Sequence, residues 1–405
     1  MFEKGKTIEI LESEDCCGCA ACSDKCPKGA ITMEVDSKGN LRPSVNSQVC
    51  VSCSICVRTC PSLYNPRKDD QAKSFLVAYY KNMEISTYSS SGGIFVALAI
   101  NAIKSGGVVY GAGMQIDDNM LKCKHIRVTS MDGLRDLQGS KYVQSVTEGI
   151  FKQVQEDLDA GRFVIFSGTS CQIAALNKFL RIKYNNLITI DLVCHGVPKI
   201  SLYNDYISFL EKRSGKKIIG MTFRSKGNRY LGKHDSYVLT INYQKGSTLV
   251  KKMIPNQKSS YYSLFINRVG YRDSCYKCKY SSINKYSDLT LGDFKPSKEE
   301  IQSFGLNPDI TYSSVIIHTG NGHAFFERLR NEIETISISQ ELMIKHHANL
   351  QRPSVPTSNG LNLYNIYRRG GYKSLQRKID IISFRHALIY NIKSSLILLD
   401  KLFCR

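Results

Sequence analysis

Apolar runs of strand length alternate with helical segments in the middle of the chain. The segments SFLVAYY, VVYGAGM, RFVIFSG and LITIDLV are nearly continuous apolar runs and predict buried strands. IFVALAINAIK and TSCQIAALNKFL, which lie between strands, have the length and composition of helices. The strand–helix–strand order around TSCQIAALNKFL is a β–α–β unit, and such a unit requires a parallel sheet. The pattern therefore predicts an α/β core with a partly parallel sheet.

Turn and capping signals divide the rest of the chain. Ser145 with Glu148 three residues later predicts a capping box, and the helix that it opens is expected to stop at Gly161. AITMEVDSKGNLRPSV predicts two short strands around a turn, and the polar segment SLYNPRKDDQAK predicts a linker. We therefore expect a small domain at 1–66, the α/β core at 67–320 and a largely helical, basic extension at 321–405. The whole chain then has an α+β composition.

The last thirty residues carry an apolar stripe at helical spacing, with basic residues interspersed. Its members are Ile381, Leu388, Ile392, Leu396, Leu399 and Phe403, with Arg385 and Lys393 among them. Such a helix lies on a membrane surface, docks a partner or covers the protein's own core. We favour the last because amphipathic helices usually pack on their own domain.

Two cysteine runs with the same spacing lie in the first domain. Cys16, Cys19, Cys22 and Cys26 precede Pro27, and Cys50, Cys53, Cys56 and Cys60 precede Pro61. This is the spacing of bacterial ferredoxins, in which the fourth cysteine of each run binds the other 4Fe–4S cluster. One cluster is thus assigned to Cys16, Cys19, Cys22 and Cys60, and the other to Cys50, Cys53, Cys56 and Cys26. Zinc is the alternative, but neither run leaves a second ligand pair. Cys17 fits neither run and is interpreted as a bystander.

The composition of the chain bears on its cellular compartment and on its binding partners. Among its 405 residues are 15 cysteines, yet MFEKGKTIEI lacks the apolar run of a signal peptide and no apolar run reaches membrane-spanning length. A reducing cytoplasm is therefore expected, where cysteines indicate metal or redox chemistry rather than disulfides. The net charge of +20 indicates an acidic partner, with a merely solvated basic surface as the alternative. Because no nucleic-acid-binding motif is visible, we expect an acidic electron carrier or an anionic substrate instead of nucleic acid.

Four further cysteines lie in the predicted core. Cys171 and Cys194 follow the ends of two neighbouring strands, at the sheet edge where α/β proteins bind ligands. Cys275 and Cys278 form a Cys-x2-Cys pair on a predicted loop. A third cluster is one interpretation. The other is that the two single cysteines are buried apolar residues and the pair binds zinc or nothing. Cys123 and Cys404 are left unassigned.

The turn SSSGG opens a predicted helix, where free N–H groups could bind a phosphate or a flavin edge, although such a turn is as often only a loop. Several short motifs follow the ferredoxin runs in a fixed order: SSSGGIF, LQGSKYVQS, SGTSCQ, DLVCHGVP, FRSK, CYKCKYSS and LTLGDF. With these motifs the chain resembles the family of beta subunits of the coenzyme F420-reducing hydrogenases and dehydrogenases. The match runs from about residue 10 to about residue 295.

The resemblance implies an iron–sulfur flavoprotein that binds FAD. It implies that Cys171, Cys194, Cys275 and Cys278 bind a 4Fe–4S cluster beside the flavin. It further implies flavin contacts at two segments, whose members are Ser90, Ser91, Gly92 and Gly93, then Gln138, Lys141 and Tyr142. From about residue 300 onward the resemblance offers little.

Several polar residues near these motifs are candidates for chemistry. Lys141 would stabilise an anionic reduced flavin, and Thr169 and Ser170 could donate to flavin or cluster, or only cap a helix. His195 is a candidate proton donor, with a structural role as its alternative. Arg224 and Lys226 could hold an anionic substrate or simply end a strand in solvent.

These observations predict an FAD- and 4Fe–4S-dependent oxidoreductase. Clusters move one electron and hydride chemistry moves two, so a flavin is the expected converter between them. One-electron carriers of the ferredoxin type would be the partners. Coenzyme F420 or another unsaturated or carbonyl compound would exchange hydride with the flavin. The alternative is a non-catalytic electron-transfer subunit of a larger complex.

Overall fold

The protein is described by a computed structural model at residues 5–63, 74–225 and 237–403, with side chains of the last helix described up to residue 384. The strands are Ile31–Val35 (β1), Leu41–Val45 (β2), Ser74–Tyr80 (β3), Val108–Asp117 (β4), Met120–Val128 (β5), Val164–Thr169 (β6), Leu187–Leu192 (β7), Lys217–Ser225 (β8), Val238–Lys245 (β9), Thr248–Pro255 (β10), Leu289–Phe294 (β11), Tyr312–Ile317 (β12) and Ile333–Ser337 (β13). The α-helices are Ala21–Asp24 (α1), Ile55–Thr59 (α2), Met83–Ser86 (α3), Ile94–Lys104 (α4), Leu134–Leu137 (α5), Ile150–Asp159 (α6), Ser170–Leu180 (α7), Ile200–Ser214 (α8), Ser260–Ile266 (α9), Asp273–Tyr276 (α10), Lys298–Phe304 (α11), Gly320–Glu327 (α12), Gln340–His346 (α13) and Ser358–Phe403 (α14).

An eight-stranded mixed sheet forms the core, in the order β13-β3-β12-β11-β7-β6-β4-β5. Its four central strands, β11, β7, β6 and β4, pair in parallel, and the flanking strands pair antiparallel. The predicted α/β class with a partly parallel sheet is confirmed. The boundary expected at residue 320 needs correction, because edge strand β13 pairs with β3 and extends the core to Ser337.

The first domain is a small module built on the β1–β2 hairpin and two short helices. Both helices begin directly after a left-handed residue, Ala20 before α1 and Ser54 before α2. Each of these residues lies inside a cysteine run. The tight loops that carry the cysteines therefore have the same backbone shape in both halves of the module.

A second sheet, of order β10-β9-β8, packs with α8, α9 and the first part of α14. Leu363, Tyr372, Leu375 and Ile379 of α14 are buried in this layer, so the beginning of the last helix covers the protein's own core. Most of the apolar stripe expected in the tail lies beyond the described side chains. Within the described residues, no helix has the length and apolar character needed to cross a membrane.

The helix expected from Ser145 begins later than its capping signal predicts. Helix α6 starts at Ile150, and the Asp24 carboxylate of the module accepts hydrogen bonds from the N–H groups of Gly149 (2.6 Å) and Phe151 (3.0 Å). Ser145 instead contacts the His125 ring, and Glu148 accepts a hydrogen bond from Ser23. The cap of α6 thus comes from the module, because tertiary contacts engage both residues of the predicted box.

Candidate iron–sulfur and cofactor site

The module brings its cysteines together in two groups. One small cavity is lined by Cys16, Cys19, Cys22 and Cys60, and another by Cys26, Cys50, Cys53 and Cys56. Burial, followed by the neighbouring Cys16 and Cys60 thiols, raises the pKa of Cys22 well above its ordinary value. The fourth cysteine of each run lies with the other run's group, which is the arrangement that the ferredoxin spacing predicts.

Each of the two cavities is lined by four thiols of the two cysteine runs, the number of ligands that a 4Fe–4S cluster takes. A cubane spreads its four ligands over four separate irons, whereas zinc draws four ligands onto one centre. Two four-thiol cavities therefore fit two 4Fe–4S clusters.

The core cysteines form a third group, at the carboxyl ends of the parallel strands. Cys171 lies in the first turn of α7 directly after β6, and Cys194 lies two residues after β7. Cys275 and Cys278 come from α10 and the loop that follows it, and all four line one cavity. Burial, then the Cys275 and Cys171 thiols, raises the pKa of Cys194. The sheet edge expected from the β–α–β unit thus gathers all four core cysteines.

Backbone N–H groups point at two of these sulfurs. The N–H of Gly196 donates to Cys194 Sγ at 3.3 Å, and that of Val197 donates to Cys275 Sγ at 3.5 Å. Such donors stabilise a thiolate and adjust the potential of a cluster bound to it. Cys194 and Cys275 therefore each accept a backbone hydrogen bond of the kind that cluster ligands accept.

The cavity beside the core cysteines has a volume of about 270 Å³. The serine-rich turn before α4 and the loop that follows α5 line the same cavity. Ser90 joins these two segments, since its hydroxyl oxygen accepts hydrogen bonds from Ser140 N–H (2.6 Å) and from Ser140 Oγ (2.9 Å). The Ser91 hydroxyl donates to the carbonyl of Tyr312 at 2.6 Å. The two segments expected to contact a flavin therefore line one cavity together with the core cysteines.

Lys141 lies in the wall of this cavity. Its ammonium donates to the carbonyls of Asp136 and Gln138, both at 2.8 Å. Burial lowers the pKa of Lys141 to about 8, so the side chain is mostly charged at pH 7 and loses its charge within the following two pH units. A cation in this position suits an anionic group in the cavity.

Most of the expected cofactor contacts line the cavity, and two do not. Ser90, Ser91, Gly93, Gln138, Lys141 and Thr169 are among the lining residues. Gly92 lies behind them, where its N–H donates to Ser313 Oγ at 3.0 Å and a Cβ would come within 2.5 Å of the Ala78 carbonyl. The ring of Tyr142 stacks on Phe265 with 4.1 Å between centroids. Gly92 and Tyr142 thus make packing contacts and are not among the residues that line the cavity.

The polar candidates have separate surroundings. Thr169 Oγ1 lies 3.1 Å from Cys171 Sγ, and His195 lines the cavity beside Cys194. Arg224 is buried and pairs with Asp293, which corrects the expectation of a strand end in solvent. Lys226 lies outside the described residues.

Ser170 lines the cavity together with Lys285, and both belong to a buried polar chain. Its hydroxyl donates to Asp191 at 2.5 Å and accepts from Lys285 Nζ at 3.2 Å. Thr290 donates to the same carboxylate and lies 2.7 Å from His318 Nε2. Because the Ser170 proton is engaged by Asp191, this hydroxyl does not donate into the cavity.

Sequence reasoning missed the junction between the module and the core. Arg272 is only 1% exposed, and its guanidinium donates to the Gln144 side chain (2.7 Å) and to the carbonyls of Cys16 (2.8 Å) and Leu41 (3.0 Å). Cys17, interpreted as a bystander, lines both the first module cavity and the core cavity. The sequence offered one signal for Arg272, its position three residues before Cys275.

Three four-thiol groups, one of them in the wall of an α/β cavity, are typical of an iron–sulfur protein of the oxidoreductase class. Residues 161–341 match the family model that describes the C-terminal part of the beta subunit of coenzyme F420 hydrogenase/dehydrogenase. Residues 15–63 match the model of the 4Fe-4S dicluster domain. The two family models and the dehydrogenase relative together support the predicted resemblance to the F420 hydrogenase/dehydrogenase beta subunits, with a two-cluster ferredoxin domain at residues 15–63.

Known proteins share different parts of the chain. The F subunit of the F420H2 dehydrogenase of Methanosarcina mazei is 24% identical over 352 residues, which cover 81% of this chain and 86% of the relative. An uncharacterized ferredoxin of Methanocaldococcus jannaschii is 31% identical over 71 residues, which cover 16% of this chain and 91% of that protein. A chain of the F420-reducing NiFe hydrogenase complex from Methanosarcina barkeri aligns with a TM-score of 0.45 and 16% identity, over 76% of this chain and 96% of that one.

Proposed function

We propose that this chain is the electron-transferring iron–sulfur subunit of an oxidoreductase complex that acts on coenzyme F420 or a related small compound. One observation carries the proposal: the first module cavity and the core cavity share Cys17 in their walls, so two of the three four-thiol groups are direct neighbours. The family and the dehydrogenase subunit that resembles the chain support an electron-transfer role more directly than an independent flavoenzyme.

Each of the three proposed clusters would have its own set of four cysteine ligands. Cys16, Cys19, Cys22 and Cys60 would hold the first, Cys26, Cys50, Cys53 and Cys56 the second, and Cys171, Cys194, Cys275 and Cys278 the third. Each such cluster supplies one-electron chemistry when bound. The protein buries the cysteines of the first site and directs N–H groups at the sulfurs of the third.

A second function is favoured by the cavity beside the core cysteines. Its wall combines the serine-rich turn at the start of α4, an eleven-residue helix, with the cation of Lys141. Helix N-termini and lysines both favour anionic groups, which FAD carries in its diphosphate and in its reduced ring. These residues fit FAD, which would supply exchange between one-electron and hydride chemistry when bound. The chain would then catalyse hydride exchange with its acceptor.

Cofactor analysis after anaerobic purification tests both functions. We expect about twelve irons per chain, four for each of three clusters. Noncovalent FAD in the same sample would support the catalytic function. Twelve irons without flavin would support only the electron-transfer function. About eight irons would show that the core cysteines hold no cluster and would overturn the three-cluster proposal. Titration of the chain with FAD, and with FMN for comparison, measures directly whether the cavity binds a flavin.

A further inference from the structure

We infer that the loop formed by residues 49–54, together with Lys6, Lys28 and Arg58, is the docking surface for a small acidic one-electron carrier protein. This surface, the outer face of the module, surrounds the second four-thiol group. The inference deepens the proposed electron-transfer function by naming where the carrier binds. Its evidence is the orientation of the module on the core.

The first four-thiol group faces the core. Its loop is bound through backbone carbonyls: Cys16 by Arg272, Gly18 by Gln144 at 3.1 Å, and Cys19 by Thr147 at 2.9 Å. At Gly18 a Cβ would come within 2.8 Å of both the Arg272 guanidinium and the Gln144 amide. Only glycine lets this loop approach so closely, and its φ of +64° also favours glycine.

The end of the second run is also held against the core. Lys279 Nζ donates to the carbonyl of Ser62 at 2.8 Å, and Tyr280 Oη donates to that of Pro61 at 3.2 Å. Both donors follow Cys278 directly in the sequence. The part of the module that contains Cys16 and Cys60 is therefore fixed next to the core cysteines, and a carrier has no access to it from this side.

The second four-thiol group faces the opposite way. Val49 and Val51 are 43% and 57% exposed, and Cys50 and Cys53 are only half-buried, whereas Cys16, Cys19, Cys22 and Cys60 are all buried. Electron transfer between proteins requires short distances between the redox centres. Among the described residues, the outer face is thus where a carrier can approach a four-thiol group of the module most closely.

The charge of this face selects the partner. Lys6, Lys28 and Arg58 are exposed around the loop, and the Arg58 guanidinium lies 3.4 Å from the Cys53 carbonyl. The residues that line the second cavity include two lysines and no Asp or Glu within the described ranges. Two exposed valines inside a basic rim match the usual anatomy of a docking site, with apolar contact at the centre and complementary charge around it. An acidic carrier fits this face, and a basic one is repelled.

Binding measurements on the full chain test the surface. The probe is an acidic two-cluster bacterial-type ferredoxin, with the basic protein cytochrome c as its comparison. The double variant Lys28→Glu, Arg58→Glu is compared with Lys251→Glu, Lys252→Glu, which makes the same change of charge on exposed residues of β10. Iron content and visible absorbance confirm that both variants carry the same clusters as the parent chain. Dissociation constants are measured from low to physiological ionic strength.

We expect the double variant on the outer face to bind the ferredoxin about tenfold more weakly or worse, and to lose most of the salt dependence of binding. The β10 variant should bind the ferredoxin with a dissociation constant within about twofold of the parent's, because it changes the overall charge of the chain but not the charge of the outer face. Equal losses in the two variants, or tighter binding of cytochrome c than of ferredoxin by the parent, would overturn the docking surface.

Cross-linking of the parent chain gives a result that does not depend on any variant. Carbodiimide joins lysines to contacting carboxylates, so links from the ferredoxin to Lys6 or Lys28 are expected, and links only to other lysines would refute the inference. Failure of the proposed function is recognised separately, by iron content. A chain that holds its clusters and binds the ferredoxin elsewhere would disprove only the docking surface.

Discussion

The module and the core both gather cysteines, but they do so by different means. In the module, each run places three cysteines on one tight loop, and the fourth crosses to the other run within the same small domain. In the core, Cys171, Cys194 and the pair Cys275 and Cys278 come from three separate parts of the chain and meet at the sheet edge. A local motif should tolerate damage elsewhere, whereas an assembled site depends on the whole fold.

The largest expected effect is loss of the core cluster on its own. Cys275→Ser removes one of four ligands and should lower iron content from about twelve to about eight per chain, because an incomplete ligand set does not hold a cubane. Cys60→Ser should instead damage the cluster of Cys16, Cys19 and Cys22. Iron analysis and low-temperature EPR of the reduced proteins measure both. If Cys275→Ser keeps all its iron, the core cysteines are not the ligands.

Expression of residues 1–66 alone sharpens the same comparison. This fragment should hold about eight irons after reconstitution, since its two ligand sets are complete within it. About four irons, or a stable zinc form, would show that the module needs the core.

Removal of Arg272 should weaken the connection between the two regions. Arg272→Met leaves buried acceptors at Cys16, Leu41 and Gln144 without their donor, and we expect the free energy of unfolding to fall by about 2–4 kcal/mol. Arg272→Lys, which keeps a charge and some donors, is the matched control and should lose less. Denaturant titration monitored by circular dichroism measures the difference. An unchanged midpoint in Arg272→Met would mean that the junction contributes little to stability.

Acid should destabilise the core through His125. This ring contacts Ser145 Oγ and the carbonyl of Ser167, and burial lowers its pKa to about 4. The unfolded chain takes up a proton near pH 6.5 while the folded chain does not, so stability is complete above pH 6.5 and falls as pH approaches 4. Between pH 7 and pH 5 the contribution is about 2 kcal/mol. His125→Gln should have a smaller loss over this range, and an equal loss would contradict the assignment.

The smallest expected effect concerns Lys141. Its ammonium is charged below a pKa of about 8, so affinity of the cavity for FAD should fall as pH rises from 7 to 9, by less than tenfold per pH unit. Lys141→Met should bind FAD more weakly at pH 7 and show no such decline. Lys141→Arg should stay charged, so its affinity for FAD should be the same from pH 7 to pH 9. Fluorescence titration measures the affinities. A decline that persists in Lys141→Met would assign it to another group.

The sequence alone determined whatever depends on short-range rules. Cysteine spacing predicted both four-thiol groups of the module, because three ligands on one loop leave few geometries. The strand–helix–strand order predicted the parallel strands and, with them, the shared edge at Cys171 and Cys194. These features repeat within a few residues, so they can be read from the chain.

Only the tertiary structure decided the contacts between distant segments. In the folded protein β13 pairs with β3, and Asp24 rather than Ser145 caps α6. The Tyr142 ring packs in an aromatic cluster, and the buried Arg272 binds the carbonyl of Cys16. It also made Cys17 a wall of two cavities. Each of these contacts joins residues far apart in sequence, where no periodicity or turn rule applies. In the packed molecule several groups compete to contact the same side chain or backbone group, and the outcome of this competition decides these contacts. Such competition exists only once the chain has folded.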